Sequence, residues 1–128
     1  MEQNWKMNIL FSRDEFFFAM QKYNRTLLDA LMQDADLVIT DGEGIACILR
    51  YDGNTSAPLI IGMTEDEEEK LFWEAAIQHG VYYSLYPPLA RVIYMNLNVG
   101  EEICPELYQP VAEELSKARK CSERNKNC

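Results

Sequence analysis

The sequence predicts an α/β fold, a single compact domain in which a small four-stranded sheet is surrounded by about four helices. Three observations lead there. Four short runs rich in branched apolar residues, Leu37–Thr40, Ile45–Tyr51, Leu59–Gly62 and Val81–Leu85, end at glycine- or proline-bearing turns. Helix-start signals and helical spacings flank and interrupt those runs. The chain has 128 residues with no repeat and no linker, so it forms one domain, 1–128.

The first element is a helix over about 13–33. Ser12-Arg13-Asp14-Glu15 matches a capping box, and Phe16, Met20, Tyr23, Leu27 and Leu31 recur at spacings of four and three. Phe17 and Phe18 widen the apolar surface, which implies two packing partners. The first two strands are separated by Asp41-Gly42-Glu43-Gly44, a strong turn signal because glycine takes positive φ without a Cβ penalty. Asp52–Ser56 makes a second turn before the third strand. Apolar runs without alternation imply a sheet covered on both faces. Thr64-Glu65-Asp66-Glu67 is another capping box, and the acidic run Glu65–Glu69 then occupies the first turns of a helix whose terminus favours carboxylates. Leu71, Phe72, Ala75 and Ala76 form its buried stripe, and Gly80 stops it just after His79, for which the sequence shows no catalytic partner. Pro87-Pro88 ends the fourth strand and opens a short helix from Leu89 to about Asn96, with Pro88 suited to the first helical position. Val99–Ile103 connects to a last helix from Pro105 to about Cys121. Pro110 should kink that helix or delay its regular start. A basic tail covers 117–128.

Charge excludes several functions. The net charge is −9, and it is unevenly spread: residues 1–116 hold 7 basic and 20 acidic side chains, net −13, while 117–128 hold 5 and 1, net +4. A body that negative repels phosphate, so nucleic acid is not an expected partner. No apolar run approaches the ~18–20 residues of a membrane-spanning helix, and the N-terminus does not read as an export signal. Cys47, Cys104, Cys121 and Cys128 form no CxxC pair beside the single histidine, so neither a metal nor another cofactor is expected, and the thiols read as reduced in a cytosol. Cys47 is read as a small buried side chain. Asp41 and Glu43 flank Gly42 in what reads as an exposed turn, and paired carboxylates can divide acid and base roles. No phosphate loop, nucleophile elbow or metal-ligand spacing converges on them, so no enzymatic activity is expected.

A further step comes from residues 35–51, Ala-Asp-Leu-Val-Ile-Thr through Ala-Cys-Ile-Leu-Arg-Tyr, followed by Ala57-Pro58-Leu59-Ile60-Ile61 and His79-Gly80-Val81. The series continues with Pro87-Pro88-Leu89-Ala90-Arg91-Val92-Ile93-Tyr94, Val99-Gly100-Glu101-Glu102-Ile103 and Pro105-Glu106-Leu107-Tyr108-Gln109-Pro110-Val111-Ala112-Glu113. In order and spacing, over about 27–117, this resembles the cytoplasmic domain of the FlhB/YscU family of type III secretion export switch proteins. The resemblance implies a small sheet surrounded by helices, a cytoplasmic place beside the inner-membrane export apparatus of a flagellum or injectisome, and protein partners among its components or substrates.

The family carries Asn-Pro-Thr-His between its first two strands and cuts its own chain between Asn and Pro: the Asn side-chain nitrogen attacks its own backbone carbonyl and expels the proline nitrogen. The equivalents here are Asp41, Gly42, Glu43 and Gly44, which lack the amide nitrogen, the proline ring and the imidazole. The expectation is a stand-alone domain that binds partners without self-cleavage, with Asp41, Glu43, Pro87, Pro88 and Arg91 as candidate contact residues and Arg91 paired with a nearby carboxylate. Asp-Gly cyclisation would isomerise the chain without cutting it. The alternatives are a generic acidic adaptor unrelated to secretion, or a fragment of a membrane-bound export switch protein.

Overall fold

The computed structural model describes residues 28–126 apart from 52, 54, 55, 66 and 67. Helix α1 covers 28–34. It is followed by β1 (Leu37–Thr40), β2 (Ala46–Arg50), β3 (Leu59–Thr64), α2 (Glu68–Gln78), β4 (Tyr83–Leu85), α3 (Pro87–Asn96), a 3-10 turn (Pro105–Leu107) and α4 (Tyr108–Lys126). The order across the sheet is β3-β2-β1-β4. β2 is antiparallel to both neighbours, pairing Leu37 with Leu49 and Ala46 with Thr64, whereas β4 runs parallel to β1 with Val38 opposite Tyr83.

The apolar strands lack alternation because both faces are covered. Leu37, Ile39, Cys47 and Leu49 pack with Leu89, Ala90 and Ile93 of α3 and with Val111 and Leu115 of α4. On the other face, Val38, Ala46 and Ile48 meet Leu28, Leu31 and Met32 of α1 and Phe72, Ala75 and Ala76 of α2. The outer edge of β3 is closed by the connector after α3: Ile60 N–H donates to the Glu101 carbonyl at 2.9 Å, and Gly100 N–H donates to the Ile60 carbonyl at 2.8 Å.

Several boundaries differ from the sequence reading. β3 runs on to Thr64, which is buried opposite Ala46, so this residue belongs to the sheet. The α2 helix is described from Glu68. β4 starts at Tyr83, two residues later than expected, and α3 starts at Pro87, so both prolines occupy its first positions. Pro110 does delay the regular helix: the segment opens as the 3-10 turn and becomes α-helical at Tyr108. Pro110 then lies in the first turn, where an amide has no partner to lose. α4 reaches Lys126. His79, for which the sequence shows no catalytic partner, sits 3.0 Å from Asp29 Oδ1 and ties α1 to the end of α2. Of the expected helix over 13–33, the part before residue 28 lies outside the described residues, including the Ser12–Glu15 box and the Phe triplet. So do parts of the second turn and of the second capping box.

Phe72 has no exposed surface. Phe72→Ala should therefore lower the unfolding free energy by about 3–5 kcal/mol in urea titrations. Ile77→Ala, on the exposed face of the same helix, should change it by less than about 0.5 kcal/mol.

Candidate functional site

The turn that joins β1 to β2 is built around one carboxylate. Asp41 Oδ1 accepts the backbone N–H of Glu43 at 2.7 Å and that of Ile45 at 2.9 Å, so the side chain closes the loop from inside. Asp41 is 7% exposed, which corrects the expectation of a fully exposed turn. Gly44 is also buried, and only Gly42 and Glu43 face solvent. A short acceptor side chain can reach the backbone two and four residues on, the property that makes Asp a frequent turn residue.

Gly42 has φ of 76°, a region closed to proline and disfavoured for any residue with a Cβ. A Cβ there would also lie 3.0 Å from Leu85 Cδ1, so the turn rests against the end of β4. Behind it, Thr40 Oγ1 accepts the Gly42 N–H at 3.0 Å. Its single proton faces two acceptors at 2.8 Å, the Ile45 carbonyl and Glu69 Oε2. Glu69 also accepts the Tyr83 hydroxyl at 2.6 Å. Burial, and then the bond to Glu69, push the Tyr83 phenol well above the usual tyrosine range.

Arg91 of α3 completes the site. Its Nη2 donates to Glu43 Oε1 at 2.9 Å, and its Nε lies 3.6 Å from Asp41 Oδ2. One guanidinium thus bridges the two carboxylates. Pro87 and Pro88 start the helix that carries Arg91, with Pro87 half-buried and Pro88 exposed. The five candidate residues therefore gather at the C-terminal end of β1.

Thr40, Glu69, Tyr83 and Leu85 belong to the same neighbourhood and were not anticipated. In the sequence Glu69 is one of five acids, Glu65–Glu69, and no local signal marks it as the partner of Thr40 and Tyr83. The chemistry available is that of a rigid charged surface. Asp41 is committed as an acceptor, and among the described residues no group of three or more His, Cys, Asp or Glu converges as a metal would require. A separate groove of about 400 Å³ lies at the opposite end of β1, lined by Met32, Asp36, Tyr51, His79, Tyr82 and Arg119 among others. Among the described residues no helix is long and apolar enough to cross a membrane.

Comparison with known proteins places the chain in a family. The family model described as "FlhB HrpN YscU SpaS Family" matches residues 18–117. The flagellar biosynthetic protein FlhB of Salmonella typhimurium is 32% identical over 90 residues, 67% of this chain and 24% of that protein. FlhB of Aquifex aeolicus is 30% identical over 95 residues, 73% of this chain and 27% of its own. The chain thus spans about a quarter of the length of these relatives. Among solved structures, the C-terminal domain of EscU carrying an asparagine-to-aspartate mutation superposes with a TM-score of 0.72 at 25% identity, covering 77% of this chain and 91% of that one. The cytoplasmic domain of FlhB from Shewanella putrefaciens gives 0.72 at 25% identity, covering 80% of each chain.

Asp41→Ala strands two backbone amides and should cost about 1–3 kcal/mol in urea unfolding. Arg91→Ala removes a half-exposed ion pair and should cost no more than about 1 kcal/mol. A tyrosine held protonated by the fold stabilises fully below the unfolded value of about 10, and that stability is lost as pH rises above it. Urea midpoints of the native chain should therefore fall more steeply above about pH 10 than those of Tyr83→Phe.

Proposed function

The chain belongs to the FlhB HrpN YscU SpaS family, and from that premise we propose that this domain serves type III protein export, flagellar or injectisome, as a docking module. On this reading it binds export substrates or components of the export gate and does not cut its own chain. Its contact surface is the turn, through Asp41 and Glu43, together with Pro87, Pro88 and Arg91. It acts in the cytoplasm, against the inner-membrane apparatus, and needs no cofactor.

The observation that carries the non-cleaving half is Asp41. The scission that the family resemblance implies begins with a carboxamide nitrogen and expels a proline nitrogen. Position 41 supplies two oxygens, one of them already bound to two backbone amides. Nowhere in the chain does proline follow asparagine. Position 42 has a backbone conformation that proline, with φ fixed near −65°, does not reach. The Gly42 amide points at Thr40 Oγ1, which also opposes its slow attack on the Asp41 side chain. The docking half is supported by the shared guanidinium: Asp41 and Glu43 meet the same Arg91, so their charges are presented together and not divided between acid and base roles.

Two measurements test the proposal. Intact mass after long incubation at neutral pH should show one species at the full-length value, and two fragments parting after Asp41 would overturn the non-cleaving half. Affinity isolation from cells that express the export gate should recover gate proteins with the native chain and fewer with Glu43→Lys. Recovery of none would overturn the docking half.

A further inference from the structure

Helix α3 is apolar on more than one side. Leu89, Ala90 and Ile93 point into the core and are buried. Pro88, Val92 and Met95, at spacings of four and three, share the opposite face and are exposed, with Met95 71% open to solvent. Leu85, 67% exposed, extends that surface from the end of β4, touching the turn where Gly42 has no Cβ. A helix with an apolar stripe on each of two opposite faces expects cover on both. Among the described residues only the inner side has it.

Charge identifies what would cover the outer side. Residues 28–116 hold 3 basic side chains, Arg50, Lys70 and Arg91, against 17 acidic ones, a net −14. Arg91, the cation beside Val92, is already tied to Glu43 and Asp41. With the basic end of α4 included the whole chain still carries −9, so an approaching segment that covers these apolar side chains is favoured by positive charge. The other exposed apolar pair, Trp73 and Ile77 of α2, gives no such sign. Its neighbouring groove is lined by Tyr83, Ala118 and Cys121, and Lys117, Arg119 and Lys120 of α4 flank those last two in sequence.

We infer that the outward face of α3, with Leu85, is the docking surface for a cationic amphipathic helix. Its apolar stripe would lie over Leu85, Pro88, Val92 and Met95, and its Lys or Arg residues would flank Glu43. The stripe from Pro88 to Met95 is about 10 Å long, two helical turns, which matches the i, i+4, i+7 anchors of a helix laid on a helix. This inference deepens the docking role and rests on it, adding the chemistry of the partner.

The probe is a synthetic amphipathic helix of roughly 18 residues, about 27 Å, made of leucine and lysine, titrated into the isotope-labelled full chain. Amide shifts should move at residue 43 and at 85–95. Affinity should fall about tenfold in Val92→Ser/Met95→Ser, and steeply as salt rises towards about 0.5 M. The leucine–glutamate counterpart should not bind, and Trp73→Ser/Ile77→Ser should change nothing. Both variant pairs replace exposed side chains, and unchanged spectra elsewhere certify their fold.

Shifts centred on Trp73 and Ile77 or on α4, equal binding of the glutamate peptide, or indifference to the Val92/Met95 pair would overturn the inference. So would concentration-dependent shifts at 85–95 without peptide, which would make the face a contact between two copies. Failure of the peptide experiment with continued recovery of gate proteins would remove the α3 face alone. Loss of gate recovery with peptide binding intact would remove the export reading instead.

Discussion

Two backbone amides end on one oxygen of Asp41, and the shape of the whole β1–β2 corner depends on that arrangement. Without it the N–H groups of Glu43 and Ile45 would lose their acceptor, at about 1–3 kcal/mol between them. With it the turn is narrow enough for Gly42 to lie against Leu85, and Arg91 finds both carboxylates within reach of one side chain. The Thr40 hydroxyl adds a second tie from within the strand, and Glu69 carries that tie to α2 and, through Tyr83, to β4. Four elements converge on four consecutive residues. A surface tied together this way restricts its charged side chains, so the proposed docking would lose less ordering entropy there.

The fold was legible where hydrophobic pattern decides it. Leu37–Thr40 and Ala46–Arg50 are unalternating apolar runs because two helical layers sandwich them, and the sequence states that directly. Legibility failed where local and long-range signals compete. Thr64 heads a capping pattern, yet its backbone completes the ladder opposite Ala46, and nothing within a few residues of Thr64 announces that partner. From the sequence alone Asp41 reads as exposed, because Asp-Gly usually marks a loop tip. Its side chain is instead turned onto the amides of its own turn and towards Arg91, supplied 50 positions away. The pairing of His79 with Asp29, and of Ser84 with Glu114, likewise joins segments 50 and 30 residues apart. Hydrophobic period places a side chain on a face, but which polar groups meet across that face is a property of the assembled layers.

Glu114 shows how an acidic chain manages its charge. It is 3% exposed, on a helix face that otherwise meets the sheet. A carboxylate so placed loses much of its hydration, and it is retained because every exposed alternative is replaced: the Ser84 hydroxyl donates at 2.5 Å and the Lys117 ammonium at 2.9 Å. The same bond raises the Lys117 ammonium above its usual range. Breaking one side of such a pair costs more than the pair contributes, since the remaining charge is left without a partner. The contact therefore fixes where α4 crosses β4 more than it adds to stability. Cations are scarce between residues 28 and 116, and the position of Arg91 follows the same rule: a scarce positive charge lies where two negative ones are held together.

That scarcity bears on the turn itself. An asparagine at position 41 would bring a nucleophilic nitrogen, but it would also replace one of the two acceptors facing the backbone amides and Arg91 by a donor. A proline at position 42 would require φ near −65° where the chain now takes 76°, and it would remove the N–H that Thr40 accepts. Either change alone disrupts the arrangement that the other residues support. The residues around the turn are thus mutually consistent for one closed conformation and inconsistent with an Asn-Pro step in that same backbone. The proposed loss of cleavage is then a property of the whole corner, of which the aspartate is only the most visible part.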